Sequence, residues 1–312
     1  MYKQTMNKKK ILFLGYSSFL QRRVLPAVKK FKNLQISICS KSSKINTNLL
    51  ITENNYIEAI KKKPYLVYIS LVNNMHFKYA LLSLQNNCHV IVDKPITNNF
   101  IKTKYLVNLA KKKKLLLAEA TLFDNHRIFN YINKLITNKN KLIHIQSNFN
   151  IPRHKNIKIL KKIEGDCLAD MSPYAAAIIR IYMKRKVKKI YIEKERFKKT
   201  NLIRNFNILC KSANLSYFGN FGVGSEYINQ IIFYTKNKII YLDDRAFAIP
   251  PKINIQLKIK YKDKFYFYKI KKDDCIFNYI KDILINLKSN KLKIYYEKIL
   301  FDAKMREYFK KS

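Results

Sequence analysis

The stretch ILFLGYSSFLQRRVLPAVKK, residues 11–30, decides the fold. Ile11–Leu14 is apolar at every position, the pattern of a strand buried on both faces rather than one with a wet side. The chain then bends at Gly15, and Gln21–Lys30 predicts a helix. A buried strand, a tight turn and a helix open a βαβ unit. A dinucleotide-binding turn places Gly at the bend, then small residues where backbone meets pyrophosphate and where helix meets strand. In Gly15-Tyr16-Ser17-Ser18-Phe19-Leu20, Gly15 fills the first place and Ser17 can serve at the second. Leu20 departs at the third, which predicts looser helix–strand packing. The start of the helix, from Phe19 and Leu20 to Arg22, would still offer free N–H groups to an anion. By itself the turn is weak, since many α/β proteins bend this way without a ligand.

Outward from that stretch, short apolar runs alternate with amphipathic ones as far as residue 123. Strands are predicted at Gln35–Cys39, Leu66–Leu71, His89–Val92 and Leu115–Ala118, and helices at Tyr56–Lys61, Phe77–Gln85 and Ile101–Lys111. Doubly apolar strands separated by helices imply a parallel sheet covered on both sides. After the boundary near Phe123–Arg127 the pattern changes. Leu142–Phe149, Val187–Glu195, Asn205–Leu209, Gln230–Tyr234, Ile239–Leu242 and Ile255–Tyr261 read as longer strands of a mostly antiparallel ladder, with a helix at about Pro173–Met183. The expected organisation is an α/β domain over residues 1–123 and an α+β domain with a large open-faced sheet over 124–312. A terminal helix, 295–310, is expected to return to the first domain.

The second strand ends Ile38-Cys39-Ser40-Lys41. An NAD-selective protein usually carries Asp or Glu here for the ribose hydroxyls, whereas a hydroxyl beside a cation suits the 2′-phosphate of NADP. A merely solvated lysine is the competing explanation for Lys41, because lysine is everywhere in this chain. Lys and Arg total 63 against 20 Asp and Glu, a net charge of +43 over 312 residues. Only ten of the 63 are Arg, and the lysines run from Lys3 to Lys311 without massing on one segment. Arg is the residue that forks onto phosphate and guanine. The charge therefore reads as a drift of the whole composition toward Lys, Asn, Ile, Tyr and Phe, and a dedicated nucleic-acid-binding role is disfavoured.

At 48% hydrophobic the chain has material for large cores and is no disordered basic tail. The five cysteines, Cys39, Cys88, Cys167, Cys210 and Cys275, are odd in number and never spaced C-x-x-C. That excludes a sequence-recognisable zinc site and a fully paired disulfide framework, and it suits a reducing cytoplasm. The basic-then-apolar start breaks at Gly15 with no small-residue cleavage site, so it reads as a first strand and not a leader. No run approaches the ~20 apolar residues of a membrane helix, and no membrane partner is expected.

Three further motifs follow the turn in order: VYISLVNNMH (Val67–His76), HVIVDKPI (His89–Ile96) and AEATLFDNH (Ala118–His126). The set resembles the Gfo/Idh/MocA oxidoreductases, the glucose–fructose oxidoreductase and inositol dehydrogenase relatives. Members pair a Rossmann domain with an open-faced sheet domain. GDCLADMSPYAAAIIR (Gly165–Arg180) is similar to the family's substrate helix. FGVGSEYINQ and LDDRAFAIPP, within Phe221–Pro251, resemble a narrower branch, the nucleotide-sugar 3-ketoreductases, as do GYSSFLQRRVLPAV and FNIPRH (Phe149–His154).

The resemblance implies roles residue by residue. Lys94 matches the lysine of the acidic-Lys-Pro motif near nicotinamide and substrate, the proton donor, with Asp93 in place of the commoner Glu and Pro95 inviting a cis bond. Leu71, Asn73 and His76 match the loop flanking the nicotinamide. Glu119 matches the acid closing the last Rossmann strand, and His126 a histidine near the domain junction that serves the substrate, although Asp124 and Arg127 depart from the pattern. Asp170 and Tyr174 match the substrate-helix acid and the tyrosine four residues on. The implied activity is hydride transfer between NADP(H), with NAD(H) as the alternative cofactor, and a sugar or nucleotide-linked sugar, with no metal and with a dimer or tetramer formed through the sheet face.

The residues themselves leave other readings open. Spacing of four puts Asp170 and Tyr174 one turn apart on one face. Pro173 is acceptable if the helix begins near Asp170, which would make Asp170 an N-cap. Tyr174 could be a packed aromatic, and His76 a satisfied loop histidine. A non-catalytic cofactor or sugar sensor on the same scaffold is the rival from another functional class, and a basic nucleic-acid-binding protein the third.

Overall fold

The computed structural model describes residues 8–41, 51–53, 55–152, 166–184 and 186–312. Arg153 and His154 of FNIPRH, and Gly165 at the head of the substrate-helix motif, lie outside the described residues. Contacts divide the chain into two compact units, one of residues through Ala120 with Tyr279–Ala303, the other of Thr121–Asn278 with Lys304–Ser312.

In the first unit, six parallel strands run β1 (Lys9–Leu14), β2 (Leu34–Cys39), β3 (Ile51–Glu53), β4 (Leu66–Ile69), β5 (His89–Asp93) and β6 (Leu117–Ala120). Their order, β3-β2-β1-β4-β5-β6, reverses direction after β1, and every pairing is parallel. Such a reversal leaves a crevice at the carboxyl ends of the strands, where doubly wound folds take their ligands. Ile11–Leu14 and Leu66–Ile69 are buried at every position, so the apolar runs form the sheet centre. Helices α1 (Leu25–Val28), α2 (Tyr56–Lys61), α3 (Asn73–Gln85) and α4 (Phe100–Lys112) make the crossovers. Asn55 caps α2 and Asn99 caps α4 through side-chain oxygens that accept from first-turn amides, satisfying donors the helix leaves unpaired. The last strand lies two residues later than Leu115–Ala118, because Leu115 and Leu116 still belong to the turn out of α4.

The second unit has eight strands in the order β14-β13-β12-β11-β7-β10-β9-β8. They are β7 (Leu142–Ile151), β8 (Lys189–Arg196), β9 (Ile203–Lys211), β10 (Ser216–Val223), β11 (Ile228–Thr235), β12 (Ile239–Leu242), β13 (Ile255–Tyr261) and β14 (Lys264–Ile270). Among the described residues of this sheet, β7 and β10 pair in parallel and the other pairings are antiparallel. Helix α6 (Cys167–Ile178) packs on β9 and β10, and α5 (Arg127–Leu135) precedes β7. Two helices, α7 (Cys275–Lys288) and α8 (Lys293–Lys311), close the chain.

Strand registers sort each strand's residues into two faces. Tyr217, Gly219 and Phe221 of β10 lie beside Cys210, Ile208 and Phe206 of β9, all buried. On the opposite face Asn220 stands between Asn207 and Asn148. Its side chain accepts from Asn150 at 2.6 Å and donates to Asn207 at 2.8 Å, while Asn205 and Asn207 donate to Glu195 and Glu193. The large sheet is therefore apolar on one side and carries an amide ladder on the other.

Candidate active site

The phosphate turn is built by a close approach. Gly15 has φ +91°, and a Cβ placed on it would stand 2.4 Å from the Ser70 carbonyl oxygen and 2.9 Å from Leu71 Cδ2. Only glycine meets both the backbone conformation and the contact with the end of β4. The Gly15 amide donates to the Cys39 carbonyl at 2.9 Å, so the bend is tied to β2 as well. Tyr16 and Ser17 are partly exposed, Ser18 and Phe19 are exposed, and Arg22 lies exposed with Nε donating to the Ser18 carbonyl at 3.3 Å. These groups rim an anion-accessible helix start, and the cradle at Gly15 fits a dinucleotide.

Leu20 corrects the expectation of loose packing. Its side chain is fully buried, and Leu20–Val24 forms a π-type turn that widens the helix at the place where the usual turn has a third small residue. A π turn carries one extra residue per hydrogen-bonded loop, giving a bulky side chain room that a regular α-turn against the strand denies it. Ser17 Oγ accepts from the Leu20 amide at 3.0 Å and caps this start.

At the end of β2, Ser40 is buried and Lys41 exposed, with the Lys41 ammonium 5.8 Å from the centre of the Tyr56 ring. The cation stands over an aromatic face at the strand end.

Lys94 is partly exposed and precedes a cis bond to Pro95. Its surroundings are held by two buried groups, Glu119 and His76, and by the half-buried Asp93. Ile96 N–H donates to Glu119 Oε2 at 2.7 Å, so Glu119, which is buried, fixes the chain just past the proline. His76, fully buried inside α3, sets Nδ1 2.8 Å from the Pro95 carbonyl and Nε2 3.0 Å from the Leu71 carbonyl. Asn73, the first residue of α3, is partly exposed, whereas both nitrogens of His76 are occupied by the protein's own backbone. Asp93 receives two hydroxyls, Tyr68 Oη at 2.7 Å on Oδ1 and Ser70 Oγ at 2.6 Å on Oδ2. Burial pushes the Asp93 carboxyl above the ordinary value; the Ser70 and Tyr68 hydrogen bonds and the charges of His76 and Lys94 oppose it.

The second unit holds the remaining residues. Helix α6 begins at Cys167, not near Asp170: Asp166 is its N-cap, Oδ1 accepting from the Ala169 amide at 2.9 Å and Oδ2 from the Ile203 amide of β9 at 3.2 Å. Asp170 is thus an exposed residue of the first turn and not the cap, and Pro173 lies inside the helix. Tyr174 is partly exposed and packs among Phe123, Phe149 and Phe247, with ring centres 6.1, 5.3 and 5.1 Å away. His126 is buried and caps α5, Nδ1 accepting from the Ile128 amide at 3.2 Å. Burial holds its imidazole below the ordinary value, against the pull of Asp273.

Asp124 and Arg127, the two departures near His126, are both paired. Asp124 lies 3.8 Å from the Arg180 guanidinium, and Arg127 reaches Asp273 with its backbone amide at 2.7 Å and its guanidinium at 3.3 Å. A cavity of about 770 Å³ in this unit is lined by Lys141, Tyr182 and Asn214, among others, and contains neither Asp170 nor Tyr174.

Residues 9–121 match the oxidoreductase family with an NAD-binding Rossmann fold, the Gfo/Idh/MocA group. The matched stretch runs from β1 through β6 of the first unit. The chain is 26% identical over 181 residues to a dTDP-3,4-didehydro-2,6-dideoxy-alpha-D-glucose 3-reductase from Saccharopolyspora spinosa, a match spanning 54% of each chain. It thus spans about half the length of that curated relative. A 3-ketoreductase from Actinomadura kijaniata, solved with NADP and TDP-benzene, superposes with a TM-score of 0.89 at 17% identity over 98% of both chains. A UDP-N-acetylglucosamine 3-dehydrogenase from Acidithiobacillus ferrooxidans gives 0.77 at 12% identity, over 96% of this chain and 97% of the other. At these identities the structural likeness is one of fold, and it covers both units.

The sequence motifs point to Lys94, Asp93, Pro95 and Glu119 but not to the hydroxyls that hold Asp93. Tyr68, on β4, and Ser70, the residue just past its end, stand two apart in extended chain, so they share a face. Two hydroxyls spaced that way at the end of an otherwise apolar strand were the available signal. Phe123, Phe149 and Phe247 around Tyr174 come from three distant segments, and no local pattern joins them. Among the described residues, no group of three or more His, Cys, Asp or Glu is placed to hold a metal ion, and no helix is long and apolar enough to cross a membrane.

Proposed function

We propose that this protein is an NADPH-dependent ketoreductase acting on a nucleotide-linked sugar. The observation that carries the reading is Lys94, held at the end of β5 between a hydrogen-bonded Asp93 and a cis proline, on the same sheet edge as the Gly15 cradle. When bound, the dinucleotide supplies the hydride. As that hydride reaches the sugar carbonyl, the oxygen gains negative charge and needs a proton or a cation, and Lys94 can provide either. From the second unit the proposal takes Tyr174 as co-donor and Asp170 as the group that orients sugar hydroxyls. Gly15, Tyr16, Ser17 and the helix start receive the pyrophosphate. Ser40 and Lys41 favour the 2′-phosphate of NADP over the bare ribose of NAD. The curated relative's name supports a keto group on a deoxysugar attached to a nucleoside diphosphate.

Two further assignments belong to the same proposal. The amide ladder face is the surface through which copies associate. Its β8 margin carries Glu193 and Glu195 and its β13 margin Lys258 and Lys260, so two copies packed face to face about a twofold axis lying between the sheets and parallel to the strands would oppose unlike charges. The compartment is the cytoplasm, supported by five cysteines that are all buried and none of which is in a disulfide.

The test mixes purified protein with NADPH and a panel of nucleotide-linked ketosugars and follows the loss of cofactor absorbance. Turnover with at least one of them, and loss of it in Lys94→Ala by about 10²–10⁴-fold, is the expected result. NADPH binding without turnover on any sugar would favour the sensor reading instead.

A further inference from the structure

The Ser17, Ser70 and Asp93 contacts form a chain with a direction. Ser70 gives its single hydroxyl proton to Asp93 Oδ2, so in the 2.8 Å contact between Ser17 and Ser70 the donor is Ser17. Ser17 in turn accepts from the Leu20 amide. The sequence is Leu20 N–H to Ser17 O–H to Ser70 O–H to the Asp93 carboxylate, with each bond polarising the next. One end is a first-turn amide of the helix that follows the dinucleotide turn. The other is the residue immediately before Lys94.

We propose that Ser17 and Ser70 form a directed hydroxyl relay from the dinucleotide turn to Asp93, making Asp93 a positioning residue for Lys94. The role rests on the ketoreductase reading above; the relay itself is a property of the folded chain. Asp93 faces Tyr68 and Ser70 from β4, His76 from α3 and Lys94 from its own segment, and these groups decide its charge. With both hydroxyls donating, the carboxylate is retained in a buried place and stands as counter-charge to Lys94. An anion at the turn competes for the Leu20 amide, and the change passes through Ser17 and Ser70 to Asp93. Cofactor binding and the charge beside the proton donor are thereby linked.

The sign follows from burial. A carboxyl whose folded value is raised above 3.8 keeps its proton longer in the folded state, so stability falls as pH rises through the interval between the two values and then levels off. Ser70→Ala removes a donor to a charged acceptor, a loss that displaces the levelling-off point upward by about one to two pH units. The experiment measures thermal stability against pH for unliganded wild type, Ser70→Ala, Asp93→Asn and the double variant. Ser83→Ala serves as control, since Ser83 is also buried and donates its hydroxyl, but to the Tyr79 carbonyl outside the relay. The expected result is the upward displacement in Ser70→Ala, its disappearance in the Asp93→Asn background, and none in Ser83→Ala. A Ser70→Ala curve parallel to wild type overturns the relay. Calorimetry of NADPH binding in two buffers then counts protons exchanged, and Ser17→Ala and Ser70→Ala should alter that count by the same amount. An unaltered count in Ser17→Ala overturns the link to the turn. Wild type that binds no NADPH defeats the functional reading alone, because the stability curves judge the relay without cofactor.

Discussion

Gly15→Ala separates a structural requirement of the turn from a habit of its sequence. At φ +91° an alanine occupies backbone space that L-residues rarely adopt, a strain of roughly 1–3 kcal/mol. Its Cβ would also lie 2.4 Å from the Ser70 carbonyl oxygen and 2.9 Å from Leu71 Cδ2. The first is a backbone atom in a strand end whose amide bonds the Leu14 carbonyl at 2.9 Å, so relief requires parting β1 from β4. Overpacking of this kind adds about 1–3 kcal/mol. The sum, about 2–6 kcal/mol, corresponds to a fall in Tm of roughly 10 °C for a unit of this size. Urea and thermal unfolding of the two proteins measure it, with NADPH affinity as a second readout that should fall because the same carbonyl shift distorts the turn. A Gly15→Ala protein within about 0.5 kcal/mol of wild type, the range of an ordinary surface substitution, would refute the close-approach argument.

Leu20→Gly restores the small residue that a dinucleotide turn usually carries, yet it should destabilise by about 3–5 kcal/mol, because it empties a fully buried leucine site and adds glycine's helix penalty; chemical denaturation measures it. Asp273→Ala should cost about 2–3 kcal/mol by denaturation, since it strands the Arg127 amide and the Asn278 amide that now donate to its buried carboxylate at 2.7 and 2.8 Å. His89 is pushed down to about 4 by burial and by Lys9, and its Nδ1 accepts from the Leu116 amide. The unfolded chain therefore takes up this proton first as pH falls. Stability present above pH 6.5 is lost down to about pH 4, by as much as about 3 kcal/mol, and His89→Asn should flatten that part of the curve. His126 and His144 are lowered as well and share the acid window, so a residual slope is expected in the variant.

The parallel, doubly covered sheet of the first unit was legible because its strands are apolar without alternation, and only burial on both faces explains that; the strand order was not. The second unit was less so. The residues of β10, SYFGNFGV, carry Gly219 and Gly222 at positions that a strand pattern penalises. The structure shows why they are there: a Cβ at Gly222 would collide with the Asn150 side chain, and one at Gly219 with the Tyr217 hydroxyl. The edge strand β14, KFYFYKI, was missed because its aromatic residues Phe265–Tyr268 are exposed on both faces and show no in–out alternation. The start of α6 went wrong for a different reason. Placing Pro173 in the first turn was the economical choice, and it moved the cap from Asp166 to Asp170; the strand β9 amide that also needs Asp166 is invisible in local sequence. The site followed the same division. Lys94 and its neighbours lie in one short motif, whereas the groups that hold them come from β4, α3 and β6.

The net charge of +43 acquires its meaning from where the few acids stand. Asp93 holds two hydroxyls, Glu119 the Ile96 amide, Asp166 the head of α6, Asp273 the Arg127 amide, and Asp282 the Tyr295 hydroxyl at 2.6 Å. Each has an internal partner that a lysine or asparagine could not serve in the same way. The lysines, by contrast, lie mainly on exposed positions. A drift toward lysine could therefore run across the surface while stopping at these carboxylates. Its remaining effects have opposite signs. Self-repulsion among like charges weakens the fold, so added salt should raise Tm, while attraction of a polyanionic cofactor weakens with salt, so NADPH affinity should fall. Measured together from low to physiological salt, the two trends must diverge. Affinity that ignored salt while Tm rose would show that the surface lysines do nothing for the ligand, leaving its recognition to the turn at Gly15 and the strand end at Lys41.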